Sequence, residues 1–210
     1  LLALDGYTGS AKTELLQRVG ELGGQVLDLE GLANHRGSLL GAMTQPQPSQ
    51  KGFETALALQ LIGMDPLRPV LIEAESSKIG ARIIPPSLWR ALKCAPRIDV
   101  TAPIEARCRY LTKAYDDILS DANGLREKLG YLRGHQAGAV IDQWFALIDQ
   151  GDKARLTRAL MQDHYDPSYR KSRRLNGAPA VAEVDLGQMR EADLLRAARQ
   201  ILHQLEGLGR

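Results

Sequence analysis

The sequence is poor in the residues that build disulfide scaffolds, membrane spans and aromatic surfaces. It has two cysteines, Cys94 and Cys108, among 210 residues. They form neither a metal-binding spacing nor a disulfide framework, and they suit a reducing, cytoplasmic compartment. No run approaches the ~18–20 apolar residues needed to cross a bilayer, which excludes a helical membrane protein. Aromatic residues are 5% of the chain, so the core must be mainly aliphatic. Charge of one sign is also scarce: 27 Lys+Arg face 25 Asp+Glu, a net of +2. The balance is uneven, however. Residues 1–105 hold 10 basic and 11 acidic side chains and residues 106–210 hold 17 and 14, so a polyanion surface is expected in the C-terminal half. Apolar residues at 44% and charged residues at 25% describe an ordinary globular protein with a sizeable core. The chain opens on Leu1 inside an apolar strand pattern without a basic leader. The expectation is that it is the remainder of a longer protein.

What is present is concentrated at the start. The apolar run Leu1–Leu4 feeds Asp5-Gly6-Tyr7-Thr8-Gly9-Ser10-Ala11-Lys12-Thr13, followed by Leu15, Leu16, Val19 and Leu22 at helical spacing. Strand, glycine-bearing turn and Lys-Thr at a helix start form the layout G-x-x-x-x-G-K-[ST] of a phosphate-binding P-loop. Backbone N–H groups of such a turn point at an anion, and the helix dipole favours negative charge there. Gly6, Thr8, Gly9, Ser10, Ala11, Lys12 and Thr13 are the candidate phosphate cradle. Lys12 would reach terminal phosphates and Thr13 would face Mg²⁺. Ala11 stands where the second motif glycine belongs.

Further strands are expected at 25–29, 69–76, 96–100 and 180–186, alternating with helical patterns at 52–64, 88–92, 103–119 and 190–206. The β-α-β order predicts an α/β fold: a P-loop NTPase-like, mostly parallel sheet flanked by helices. After about residue 120 helical patterns follow one another at 124–130, 137–149 and 152–164, with Trp144 and Phe145 as core candidates. The expected domains are therefore a P-loop α/β core over 1–120, a helical, basic, polyanion-facing subdomain over 121–175, and a strand and helix over 176–210 that return to the core.

Ligands of parallel sheets sit at the carboxyl ends of the strands. The polar segment Glu30-Gly31-Leu32-Ala33-Asn34-His35-Arg36-Gly37-Ser38 follows the second strand and belongs on that edge. Arg36 is a candidate phosphate clamp and His35 a donor or proton shuttle. The strand ending Ile72-Glu73-Ala74-Glu75 offers two acids at same-face spacing. Glu73 and Glu75 are candidate catalytic carboxylates, with Glu73 and Thr13 the candidate metal ligands. Residues 151–174 hold seven basic and three acidic side chains. In that segment Tyr165, Tyr169, Arg170, Lys171, Arg173 and Arg174 are candidates to neutralise phosphates and stack unpaired bases.

These segments carry a family resemblance. The turn at Gly6–Leu16, Asp28–Ser38, Gln45-Pro46-Gln47-Pro48-Ser49-Gln50, Glu73–Gly80 and His164-Tyr165-Asp166-Pro167-Ser168-Tyr169 resemble tRNA 2-selenouridine synthase across most of the chain. The resemblance is to the C-terminal P-loop domain; it implies an N-terminal rhodanese-like domain in the same polypeptide. It implies a transferase that replaces sulfur by selenium in wobble 2-thiouridine of tRNA. Selenophosphate is then the selenium donor, and geranyl diphosphate supplies a geranyl group to the same sulfur. The ligand of the turn is then a diphosphate rather than necessarily ATP or GTP. Two other classes share the turn and the acidic strand: a small-molecule kinase or ATPase, and a non-catalytic nucleotide-binding module.

Overall fold

In the computed structural model, residues 1–175 and 180–208 are described, apart from the side chains of Ser172, Arg174 and Leu175. Strand β1 (Leu2–Gly6) is followed by α1 (Lys12–Glu21), β2 (Gln25–Leu27), α2 (Leu29–Ala33), α3 (Gln50–Ile62) and β3 (Val70–Glu73). A two-residue hairpin, β4 (Lys78–Ile79) with β5 (Arg82–Ile83), then precedes α4 (Pro86–Cys94) and β6 (Arg97–Thr101). Near the C-terminus come β7 (Ala180–Asp185) and α11 (Glu191–Gly207). Five strands form one sheet in the order β2-β3-β1-β6-β7, and every pairing is parallel. The expected α/β architecture is therefore the one observed, and the strand over 180–186 does return to the sheet.

The chain divides into two compact units. The sheet unit comprises Leu1–Gly6, Lys12–Thr101 and Gly177–Arg210; the helical unit comprises Tyr7–Ala11 and Ala102–Asn176. In the sheet unit, Leu2, Ala3 and Leu4 are buried from both sides, as a central parallel strand requires. Leu15, Leu16 and Val19 of α1 and Leu194, Ala197, Ala198 and Ile201 of α11 are buried. Arg18 ties the two helices at the surface, donating to Glu14 and Glu191. A second apolar cluster gathers Leu27, Leu29, Ala33, Phe53, Leu57, Ile72 and Ile79 under the sheet's other edge. The register places Glu73 beside Leu4, near the end of β1 where the turn begins.

The helical unit begins at Ala102, earlier than the boundary expected at 121. It contains α5 (Ile104–Ala114), α6 (Asp116–Leu119), α7 (Ala122–Gly130), a 3₁₀ turn (Tyr131–Gly134), α8 (Gly138–Asp149) and α9 (Lys153–Leu160). A π-helical turn (Met161–Tyr165) then leads without a break into α10 (Asp166–Leu175). Met161 packs with Cys108 and Leu111 of α5, which is why α5 belongs with this unit. Trp144 is fully buried, as expected, and its Nε1 donates to Asp163 at 3.2 Å. Phe145 is not a core residue. Its ring lies between the guanidinium groups of Arg126 and Arg133, 5.0 and 5.3 Å from its centroid.

Three local readings need correction. Asp28-Leu29 does not extend a strand. Asp28 is the N-cap of α2 and accepts from Gly31 N–H at 2.7 Å, because a short acid before a helix satisfies an orphan donor. The strand expected over 69–76 ends at Glu73, and the β4–β5 hairpin follows only from Lys78. The helical pattern expected to end at 164 continues: the basic tyrosine segment runs through the π turn into helix α10, where Asp166 is buried and Arg170 and Lys171 are exposed.

Candidate functional site

From the sheet unit, β1 ends at Gly6, whose N–H is capped by Asp5 Oδ1, and the next sheet-unit residue is Lys12 at the start of α1. Lys12 Nζ donates to the Gly6 carbonyl at 2.9 Å. Thr13 Oγ1 donates to Glu30 Oε2 at 2.9 Å. Glu30 lies in the first turn of α2, Glu73 at the end of β3 and Glu75 just beyond it. One carboxylate oxygen from each lies within 4.8 Å of the others, a grouping able to hold a metal ion.

Glu73 is fully buried and neither of its oxygens accepts a hydrogen bond from the described residues, since the one Thr13 proton is directed to Glu30. A carboxyl deprived of water and donors resists ionisation. Burial, with the charges of Glu30 and Glu75 beside it, pushes Glu73 well above the ordinary carboxylate range. Glu75 is pushed up to about 8 by burial first and by the Glu30 charge second. Glu30 is raised by burial, a shift moderated by the Thr13 hydrogen bond and the Lys12 charge. An all-oxygen set with two donor-free, buried carboxylate oxygens fits a hard divalent cation such as Mg²⁺.

The His35–Arg36 loop covers this cluster. Gly37, at φ +65°, comes so close that a Cβ there would lie 2.3 Å from Glu30 Oε1 and 3.0 Å from Glu75 Oε2. His35 Nδ1 accepts from Gly37 N–H at 3.1 Å, so the neutral ring carries its proton on Nε2. The imidazole is wedged beside Gly41 and Gly80. Arg36 N–H bonds the Gly41 carbonyl, closing the loop at its base. The proline-rich stretch is a strap: Gln47 donates to the carbonyls of Ala33 and Ile79 and accepts from Ala81 N–H.

The crest of the turn, Tyr7–Ala11, belongs to the helical unit. Ser10 N–H bonds the Tyr7 carbonyl at 3.1 Å, Gly9 takes φ +83° and Ala11 takes φ +51°. The positive φ at Ala11 is the conformation for which the P-loop pattern uses glycine. Arg107 of α5 is buried and donates to the Thr8 carbonyl at 3.1 Å. It also makes a two-pronged ion pair with buried Asp166 at 2.9 and 2.8 Å. Its guanidinium lies 4.9 Å from the Tyr7 ring, and Tyr7 packs against Tyr169 with centroids 4.4 Å apart. Tyr169 thus lies on the turn, with Arg173 5.8 Å over its ring, while Tyr165 meets His164 edge-on at 5.0 Å. Arg170 and Lys171 are exposed; the Arg174 side chain is outside the described residues.

Glu30, Arg107 and Asp166 were not singled out from the sequence. Glu30 had a signal, since it follows a strand of the same sheet. Arg107 had none.

A model of the family described as the tRNA 2-selenouridine synthase AAA domain matches residues 1–136. The chain belongs to the tRNA 2-selenouridine synthase family. It is 34% identical to tRNA 2-selenouridine synthase of Hahella chejuensis, over 80% of this chain and 51% of that protein. It is 29% identical to the enzyme of that name from Cupriavidus pinatubonensis, over 94% of this chain and 61% of that protein. This member therefore spans roughly half the length of the curated relatives it matches. Shikimate kinase from Bacteroides thetaiotaomicron aligns with 98% of the chain at 13% identity and a TM-score of 0.40. Among the described residues, no helix is long and apolar enough to cross a membrane.

Proposed function

We propose that this family member is the diphosphate- and tRNA-binding part of a tRNA 2-selenouridine synthase. The observation that carries the reading is the Thr13–Glu30–Glu73–Glu75 cluster directly after a phosphate-type turn, with Glu73 buried and donor-free. Geranyl diphosphate is the diphosphate substrate. The sulfur of wobble 2-thiouridine attacks C1 of the geranyl group, the C–O bond breaks, its electron pair leaves on pyrophosphate, and the base loses its N3 proton. Lys12 exchanges the Gly6 carbonyl for a phosphate oxygen, and Arg36 and the Nε2–H of His35 are further donors to the leaving group. Thr13, Glu30, Glu73 and Glu75 would hold Mg²⁺, and that ion would supply positive charge to a pyrophosphate leaving group. Glu75 is the acid or base of the cluster. Selenium transfer from selenophosphate is the work of the whole protein, with a rhodanese-like domain N-terminal to this one.

The tRNA faces the helical unit, where Arg170, Lys171 and Arg173 lie along α10. Incubating the protein with Mg²⁺, geranyl diphosphate and 2-thiouridine tRNA is expected to give geranylated tRNA and pyrophosphate. Retention of neither tRNA nor geranyl diphosphate by folded protein rejects the reading. ATP turnover without tRNA would favour a small-molecule kinase or ATPase instead.

A further inference from the structure

The motif His164–Tyr169 has a structural job that the chemistry above does not use. Pro167 lacks the N–H that would bond the Asp163 carbonyl one helical turn back. That carbonyl accepts from Gln136 Nε2 instead, at 3.1 Å, and the chain passes through the Met161–Tyr165 π turn just before it. After this turn Asp166 and Tyr169, three residues apart, share one face of α10. Asp166 grips Arg107, which holds the Thr8 carbonyl, and Tyr169 packs on Tyr7. Leu111 of α5 would lie 2.8 Å from a Cβ at Gly9, so the crest of the turn is held closely from this side too. Two buried donors here, Ser10 Oγ and Arg107 Nε, have no hydrogen-bond acceptor among the described residues. The next faces of the same helix carry Arg170, Lys171 and Arg173.

We infer that Arg107 and Asp166 are positioning residues for the phosphate-binding turn, and that tRNA bound along α10 tightens diphosphate binding by fixing the Tyr7–Ala11 crest through them. The inference rests on the function proposed above and adds a coupling to it. The crest is the element with two arrangements. In one, the Thr8 carbonyl is held by Arg107 and the turn's N–H groups converge; in the other that hold is released. Whatever steadies α10 biases the turn toward the first arrangement, and by linkage diphosphate tightens tRNA binding by the same factor.

The test is a binding square on the full chain. Mg²⁺-pyrophosphate affinity is measured with and without 2-thiouridine tRNA, and tRNA affinity with and without Mg²⁺-pyrophosphate. The wild type is expected to show one factor of at least about five-fold in both directions. Asp166→Asn keeps the shape but weakens the grip on Arg107; it is expected to lower pyrophosphate affinity and bring the factor close to one. Tyr7→Leu leaves the buried ion pair intact, so it serves as the second variant if Asp166→Asn fails to fold, and it is expected to reduce the factor. Independent binding of the two ligands by the wild type overturns the inference and leaves the proposed function standing. An unchanged factor in both folded variants also overturns it. Loss of both bindings in the wild type overturns the two together.

Discussion

Replacing Ala11 with the motif glycine tests whether this position is a strained phosphate-loop residue. Ala11 has φ +51° and is 5% exposed. An L-residue in that region costs about 1–2 kcal/mol, and glycine removes this cost. Against that gain, glycine brings about 0.5–1 kcal/mol of extra unfolded-state entropy. Deleting one buried methyl forfeits about 0.8 kcal/mol more. The three contributions nearly cancel. Ala11→Gly is therefore expected to unfold within about 1 kcal/mol of the wild type, a shift of no more than about 2–4 °C for a chain of this size.

Ligand binding should respond more than stability does. A methyl pressed toward a bound phosphate costs on the order of 1 kcal/mol in overpacking, so pyrophosphate affinity should rise about five-fold. The assays are thermal or urea unfolding without ligand, and calorimetric titration with Mg²⁺-pyrophosphate. Destabilisation beyond about 2 kcal/mol would show the methyl to be a packing group that outweighs the backbone strain. That outcome, or weaker pyrophosphate binding, refutes the reasoning.

Other consequences follow from the carboxylate cluster and the π turn. Because Glu73 and Glu75 are raised in the folded state, their contribution to stability is fully present below the ordinary value near 4.5. It is lost as pH rises through the folded values, about 8 for Glu75. Urea midpoints in chelator should therefore fall from pH 5 to pH 8.5, and Glu73→Gln should flatten that fall and abolish the Mg²⁺-dependent rise in Tm. Gly37→Ala places a Cβ 2.3 Å from Glu30 Oε1 at a residue with φ +65°. It should cost at least about 1 kcal/mol in backbone strain and weaken Mg²⁺ binding, read from the same melts. Gln136→Ala leaves the Asp163 carbonyl without its donor and should destabilise the helical unit by about 1–3 kcal/mol; an unchanged urea midpoint would refute the account of Pro167.

The parts legible in the sequence were those written in consecutive residues. Strand, turn, Lys-Thr and helix occupy Leu2–Glu21 without a break, so pattern alone located the phosphate turn, and alternation of short apolar runs with helical periods gave the parallel sheet. Asp28 misled because an apolar neighbour on each side reads as strand, whereas its side chain acts as a helix cap. The run Arg170–Arg174 suggested only a polyanion surface, because a sequence window does not show that Asp166 and Tyr169 anchor one face of the helix. Arg107 was invisible for a stronger reason. Its partner Asp166 is 59 residues away, and neither residue has a local pattern announcing a buried ion pair.

That long-range pair changes what the two halves of the chain mean. Read by composition, the first half is a phosphate-binding core and the second a basic appendage for a polyanion. The Tyr7–Ala11 crest contradicts such a division, because it belongs to the unit that carries α5 and α10. A buried ion pair is weak evidence for stability, since apolar residues of similar volume often serve as well. The same pair is better suited to fixing one arrangement of a backbone carbonyl, which a non-directional apolar contact cannot do. Arg107 spends one donor on Thr8 and aligns its fork with Asp166, so the geometry of the turn is specified by residues of the basic unit. The tRNA coupling inferred above would give that dependence a use.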